Sequence, residues 1–198
     1  SSQSRGLGDV YKRQGHQFGA THTYAYDPEP FGVSSEPGSG STIMSYAGFV
    51  SGENMQRHSD PYFHYHSIQD IQSYTDNVSC YSNVNSSNQK PTVGAGEDFY
   101  IPKGTAYYLK ANGFDYDNDN LTYCWEQLDS GKVDASNFGP DLLTGSINRS
   151  ISPSENEVRY IPNISQILNG NLVSSNPTLF SSWETVSNVE RTLTWGVT

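Results

Sequence analysis

The 198-residue chain is poor in several things that would each point somewhere definite. It has 2 cysteines, Cys80 and Cys124, which permit a single disulfide without requiring one and exclude a disulfide-dense scaffold. Basic residues number 11 against 21 acidic ones, for a net charge of -10. A chain so acidic repels phosphate backbones, which argues against nucleic acid as a partner. Apolar runs are short; none approaches the roughly 18 residues of a membrane helix. No leader segment is visible, which in a fragment says nothing about export. Hydrophobic residues make up only 34%, yet aromatics reach 13%, including 14 tyrosines, and disordered chains lack aromatics.

The chain divides by composition. Residues 1–14 show neither helical nor strand periodicity, and Gly6-Leu7-Gly8-Asp9-Val10-Tyr11-Lys12-Arg13 resembles a junction sequence found at the ends of translated metagenomic assemblies. They read as a non-native junction. Residues 15–78 are coherent: a His/Gly string, a Pro/Gly/Ser-rich loop, the apolar turn Thr42-Ile43-Met44-Ser45-Tyr46, and a closing helix. Ser67 with Asp70 is expected to cap that helix, with Ile68, Ile71 and Tyr74 on one face. Residues 79–90 are a polar Ser/Asn linker. Over 91–198 the pattern turns to period two, at Tyr107/Leu109/Ala111, Leu121/Tyr123/Trp125, Val158/Tyr160 and Leu193/Trp195/Val197. Short strands with Gly, Pro, Asn and Asp between them predict a partial antiparallel β-sandwich as an accessory domain.

The residues that carry chemistry are His16, Gly19 and His22. A catalytic zinc needs three protein ligands and one open position. Two histidines four apart share a helix face. A third histidine, six residues further on, reaches the same metal only if the helix stops and the chain turns, and Gly supplies the φ > 0 such a turn needs.

Gly15-His16-Gln17-Phe18-Gly19-Ala20-Thr21-His22 resembles the second half of the metzincin motif H-E-x-x-H-x-x-G-x-x-H. Together with Ile43-Met44-Ser45-Tyr46, which resembles a Met-turn, and Ser59 to His64, it is similar to bacterial reprolysin-like (M12B-type, adamalysin-related) peptidases. The resemblance implies an α+β fold: the C-terminal subdomain of a metzincin catalytic domain, followed by the sandwich. It implies a secreted or cell-surface, bacterial zinc endopeptidase acting on protein or peptide substrates. His16 and His22 would be zinc ligands, Met44 an apolar floor beneath them, and Tyr46 a residue supporting the oxyanion, with Met44 to Val50 bordering the specificity pocket. The family's first histidine and its glutamate fall on Lys12 and Arg13. A protonated Lys cannot ligate and Arg cannot act as a base, so the chain as given is expected to be inactive.

Two further groups carry alternatives. His58, His64 and His66 read as solvated or helix-capping residues rather than a second metal site. Asp115, Asp117 and Asp119 present alternating hard oxygens, a calcium candidate set against an Asx-rich turn. Asn120 stands where an EF-hand has its central Gly, and the continuation Leu121-Thr122-Tyr123-Cys124-Trp125 reads as strand, which argues against an EF-hand; the run resembles PKD-like or cadherin-like sandwiches. The rival to the peptidase is a noncatalytic extracellular adhesion module or a calcium-stabilised binding module.

Overall fold

The computed structural model describes residues 2–82, 84 and 87–198, of which 2–9 are described as backbone only. Ser1 of the expected junction, and positions 83, 85 and 86 of the expected linker, lie outside the described residues. The architecture is α+β, helices with small antiparallel sheets.

Helix α1 spans Ser2–Gln17 and α2 spans Tyr65–Asp76. The aperiodic N-terminal stretch is therefore helical. From residue 10 on, Val10, Tyr11, Arg13 and Gln14 are exposed, Lys12 is half-buried and Gly15 is buried. Helix α2 starts earlier than Ser67 and Asp70 suggest. Its N-cap is His64, whose Nδ1 accepts the His66 N–H at 3.3 Å. Ser67 lies inside the helix, buried, and Asp70 instead accepts the N–H and hydroxyl of Thr21, both at 3.3 Å.

The strands form three two-stranded antiparallel ladders. Strand β1 (Thr92–Gly94) pairs with β3 (Asn112–Phe114), β2 (Tyr107–Lys110) with β5 (Val158–Ile161), and β4 (Trp125–Gln127) with β6 (Trp195–Val197). A short helix α3 covers Ile164–Leu168. Leu109, Ala111, Trp125, Ile161 and Val197 pack as one cluster, so three of the four period-two sets contribute to the core.

Two strands depart from that pattern. In β4 all three residues are buried, because Glu126 and Gln127 find hydrogen-bond partners inside. In β5 Val158 is half-buried and Tyr160 exposed, while Arg159 and Ile161 turn in. The Arg159 guanidinium donates to the carbonyls of Trp125 and Arg149 and to Glu184 Oε1 at 3.0 Å, which makes its burial tolerable. Leu121 lies outside any strand, and Tyr123 forms only an isolated bridge with Ser154.

A second cluster joins Ala25 and Met55 to Val133, Phe138, Ile147 and Trp183. Backbone bonds run the same way: Val133 N–H to Ala25 O at 2.9 Å, Gly38 N–H to Val133 O at 2.8 Å, and Phe180 N–H to Met55 O at 3.0 Å. The ring of Trp183 lies so close to Gly38 that a Cβ there would come within 2.6 Å of it. Residues from both sides of positions 79–90 thus share one apolar core. The third cluster, Ala20, Ile43 and Met44 with Phe63 and Ile71, lies beneath the His/Gly string.

Candidate metal centre

Helix α1 ends in a Schellman motif. The Ala20 N–H reaches Gly15 O at 2.9 Å, the Gly19 N–H reaches His16 O at 3.1 Å, and Gly19 has φ +86°. This stop sends the chain back past the helix end and brings His22 over His16. The two Nε2 atoms stand 3.1 Å apart, with the rings edge to face at a centroid distance of 4.7 Å.

The outer nitrogens of both rings face groups that only accept. His16 Nδ1 is 2.9 Å from Ala20 O, and His22 Nδ1 is 2.7 Å from Glu29 Oε2. Both Nδ1 atoms therefore carry hydrogens, and in the neutral rings both Nε2 lone pairs aim at the same space. Two lone pairs at this separation repel unless a cation lies between them. Two nitrogens bound to one tetrahedral zinc at about 2.0–2.1 Å stand about 3.3 Å apart, close to what the pair shows. Burial is the first reason His22 is held below the usual imidazole range, opposed by its bond to Glu29, with the Lys12 ammonium adding to the lowering.

Met44 is fully buried under this turn. A Cβ on Gly15 would come within 2.5 Å of its Sδ, so the glycine beside His16 is what lets the thioether approach. The turn is tied to the site from behind. Glu36, 1% exposed, accepts the hydroxyls of Thr23 and Thr42 at 2.6 and 2.7 Å and the N–H groups of Ser41 and Thr42 at 3.0 and 3.1 Å. Thr23 adjoins His22 and Thr42 opens the Met44 turn, so one carboxylate fixes both. Tyr46 lies against His22 at 5.0 Å between centroids, and Tyr24 against both. Burial raises the Tyr46 phenol above its ordinary range.

Residues 9–75 match the family model described as Metallo-peptidase family M12B Reprolysin-like. Compared with the curated proteins and with the solved structures, the chain matches none. The matched segment contains the His16–His22 pair, the Gly19 turn, Met44 and Tyr46, which the fold places together.

The remainder of the expected site is not brought in. Among the described residues no group of three or more His, Cys, Asp or Glu side chains is arranged to hold a metal. Lys12 sits one helix turn before His16, but its Nζ donates to Ser45 O at 2.9 Å and lies 3.3 Å from the Tyr46 ring centroid. Arg13 faces outward. The two histidines fit a zinc; Lys12 and Arg13 do not complete its set.

The other sequence candidates lie elsewhere. Asp115 Oδ1 accepts the N–H groups of Asp117 and Asp119 at 2.8 and 3.0 Å, an Asx-turn, and Asp117 Oδ2 accepts from Gln89. The carboxylates of Asp115 and Asp117 are engaged locally, Asp119 contributes its backbone N–H, and nothing in the arrangement supports calcium. His64 is buried as the α2 cap, His66 Nε2 lies 3.4 Å from Leu128 O, and His58 is exposed. Cys80 and Cys124 are free thiols, one exposed and one buried, and burial pushes the Cys124 thiol up. Among the described residues no helix is long and apolar enough to cross a membrane.

Sequence reasoning missed Glu29, Tyr24 and Glu36. Glu29 sits in the loop after the string and Glu36 in a Ser/Pro/Gly run, where no periodicity marks a carboxylate that turns inward.

Proposed function

We propose that residues 15–78 are the C-terminal part of the catalytic unit of a secreted, bacterial zinc metalloendopeptidase, with residues 91–198 as a β-rich accessory unit. One observation carries the reading: within a segment that matches the reprolysin-like family, His16 and His22 aim their Nε2 atoms at each other from 3.1 Å while both Nδ1 hydrogens are already donated. His16 and His22 would hold the metal from two sides, and Met44 would floor it. Tyr46, whose ring packs on His22, would donate its phenol to a developing oxyanion. Zinc, when bound, would supply Lewis acidity and a water of lowered pKa. The substrate class is protein or peptide.

The chain with Lys12 and Arg13 is the inactive form of this unit. A second reading draws on the seat of Lys12 against Tyr46: the segment serves as a noncatalytic scaffold in an extracellular adhesion module. Zinc quantitation and peptidase assays on the chain and on the Lys12→His/Arg13→Glu variant separate the two. The first reading expects about one zinc per chain and measurable turnover only in the double variant. A folded double variant that takes up no zinc would remove it.

A further inference from the structure

Glu29 is a carboxylate in an exposed loop that nothing in the motif calls for, yet both its oxygens are committed to the site. Oε2 lies 2.7 Å from His22 Nδ1, and Oε1 accepts the hydroxyl of Tyr24. The Tyr24 ring also packs on His22 with centroids 5.4 Å apart. Tyr24 is itself fixed, being buried and bridged in parallel register to Glu36. A chain of contacts therefore runs from the buried backbone at Glu36 through Tyr24 and Glu29 to His22.

We propose that Glu29 is the positioning residue of His22. It takes the Nδ1 hydrogen, and so selects the tautomer in which Nε2 carries the lone pair that faces His16. Free imidazole has no such constraint, and a neutral histidine with hydrogen on Nε2 has nothing to offer a cation at that atom. Carboxylate–histidine pairs of this kind raise ligand basicity and fix ring orientation. His16 obtains the same tautomer from the carbonyl of Ala20, which the Schellman turn places. The two rings are thus set by different devices, one backbone and local, the other a side chain from a loop seven residues on. Tyr24 holds Glu29 in place, so the device has three members. The metal-facing consequence rests on the function proposed above; the tautomer does not.

The test is long-range ¹H–¹⁵N correlation of the imidazoles in the full, metal-free chain, above the imidazole titration range. The expected result is Nδ1–H on both His16 and His22. Glu29→Ala moves His22 to Nε2–H and leaves His16 unchanged, whereas Glu29→Gln, whose carbonyl still accepts, keeps Nδ1–H. Amide spectra outside the loop report that each variant is folded. If His22 keeps its tautomer in folded Glu29→Ala, or carries Nε2–H in the parent chain, the proposal is overturned. Excess zinc is then added. Shifts at both Nε2 atoms, weakened about 10-fold or more by Glu29→Ala, support the positioning role toward a metal. A tautomer that follows Glu29 while zinc shifts neither ring supports the positioning role and shows that the two histidines alone do not hold the metal; the metal reading itself is decided by zinc uptake in the Lys12→His/Arg13→Glu variant.

Discussion

The ammonium of Lys12 rests on the ring of Tyr46, 3.3 Å from its centroid, and donates to the carbonyl of Ser45 at 2.9 Å. Both acceptors belong to the Met44 turn, so this side chain clips helix α1 to the turn at the position where the family motif has its first histidine. A half-buried cation–π contact and a charge-assisted bond are together worth about 1–2 kcal/mol. Lys12→Met is expected to lower unfolding free energy by about that amount in urea melts, with an unchanged m-value. Equal stability of the two chains would show that the clip contributes nothing.

Glu36 gathers donors from Thr23, Ser41 and Thr42. Truncation leaves those buried donors unsatisfied, at about 1–3 kcal/mol for each group without a partner. Glu36→Ala is expected to cost about 3 kcal/mol or more. Glu36→Gln keeps one oxygen for the two N–H groups and turns its amide toward hydroxyls that can accept, so it is expected to cost less than half as much. Calorimetric or denaturant melts of the two variants decide it; similar losses would mean that volume rather than hydrogen bonding is what Glu36 supplies.

Glu126 is buried at the N-terminus of α2, accepting the Tyr65 N–H at 2.6 Å and the Ser150 hydroxyl, with His64 Nε2 at 3.8 Å. Tyr62 donates or accepts at Ser150 Oγ, and Glu36 and Cys124 are the other titratable groups that bear on it. Desolvation raises the Glu126 carboxyl above its ordinary 4.5, and His64 and the hydrogen bonds only partly offset this. A carboxyl raised in the folded state favours the fold while protonated. That advantage is full below about 4.5 and is lost as pH rises through the folded value. Glu126→Gln, which stays neutral, should therefore gain stability relative to the parent chain as the pH rises above about 4.5. Melting temperatures of both chains across that range measure it, and a constant difference would contradict it.

Much of the site was legible because its geometry is local. His16, Gly19 and His22 lie within one helix end, where chirality alone demands a glycine at positive φ, and the apolar Met44 turn follows in the same stretch. The start of α2 was misplaced because the capping box at Ser67 and Asp70 is a local signal, and tertiary contacts overrode it: Asp70 bonds Thr21 and His64 takes the cap. In β5 the alternation of Val158 and Tyr160 pointed to the wrong face, because a guanidinium with three acceptors can be buried where an unpartnered one cannot.

The sequence by itself determined that two imidazoles would converge, since helix pitch and the left-handed glycine act over a few residues whatever surrounds them. It also places Lys12 and Arg13 where the motif has a ligand and a base, and these side chains have neither the lone pair nor the basicity for those roles. Only the tertiary structure decided which nitrogens face the centre and what holds them. Glu29, Glu36 and Tyr24 reach the site through loops, and the apolar core joins Ala25 and Met55 to Trp183. Such contacts depend on how segments far apart in the chain pack together, which no residue spacing encodes.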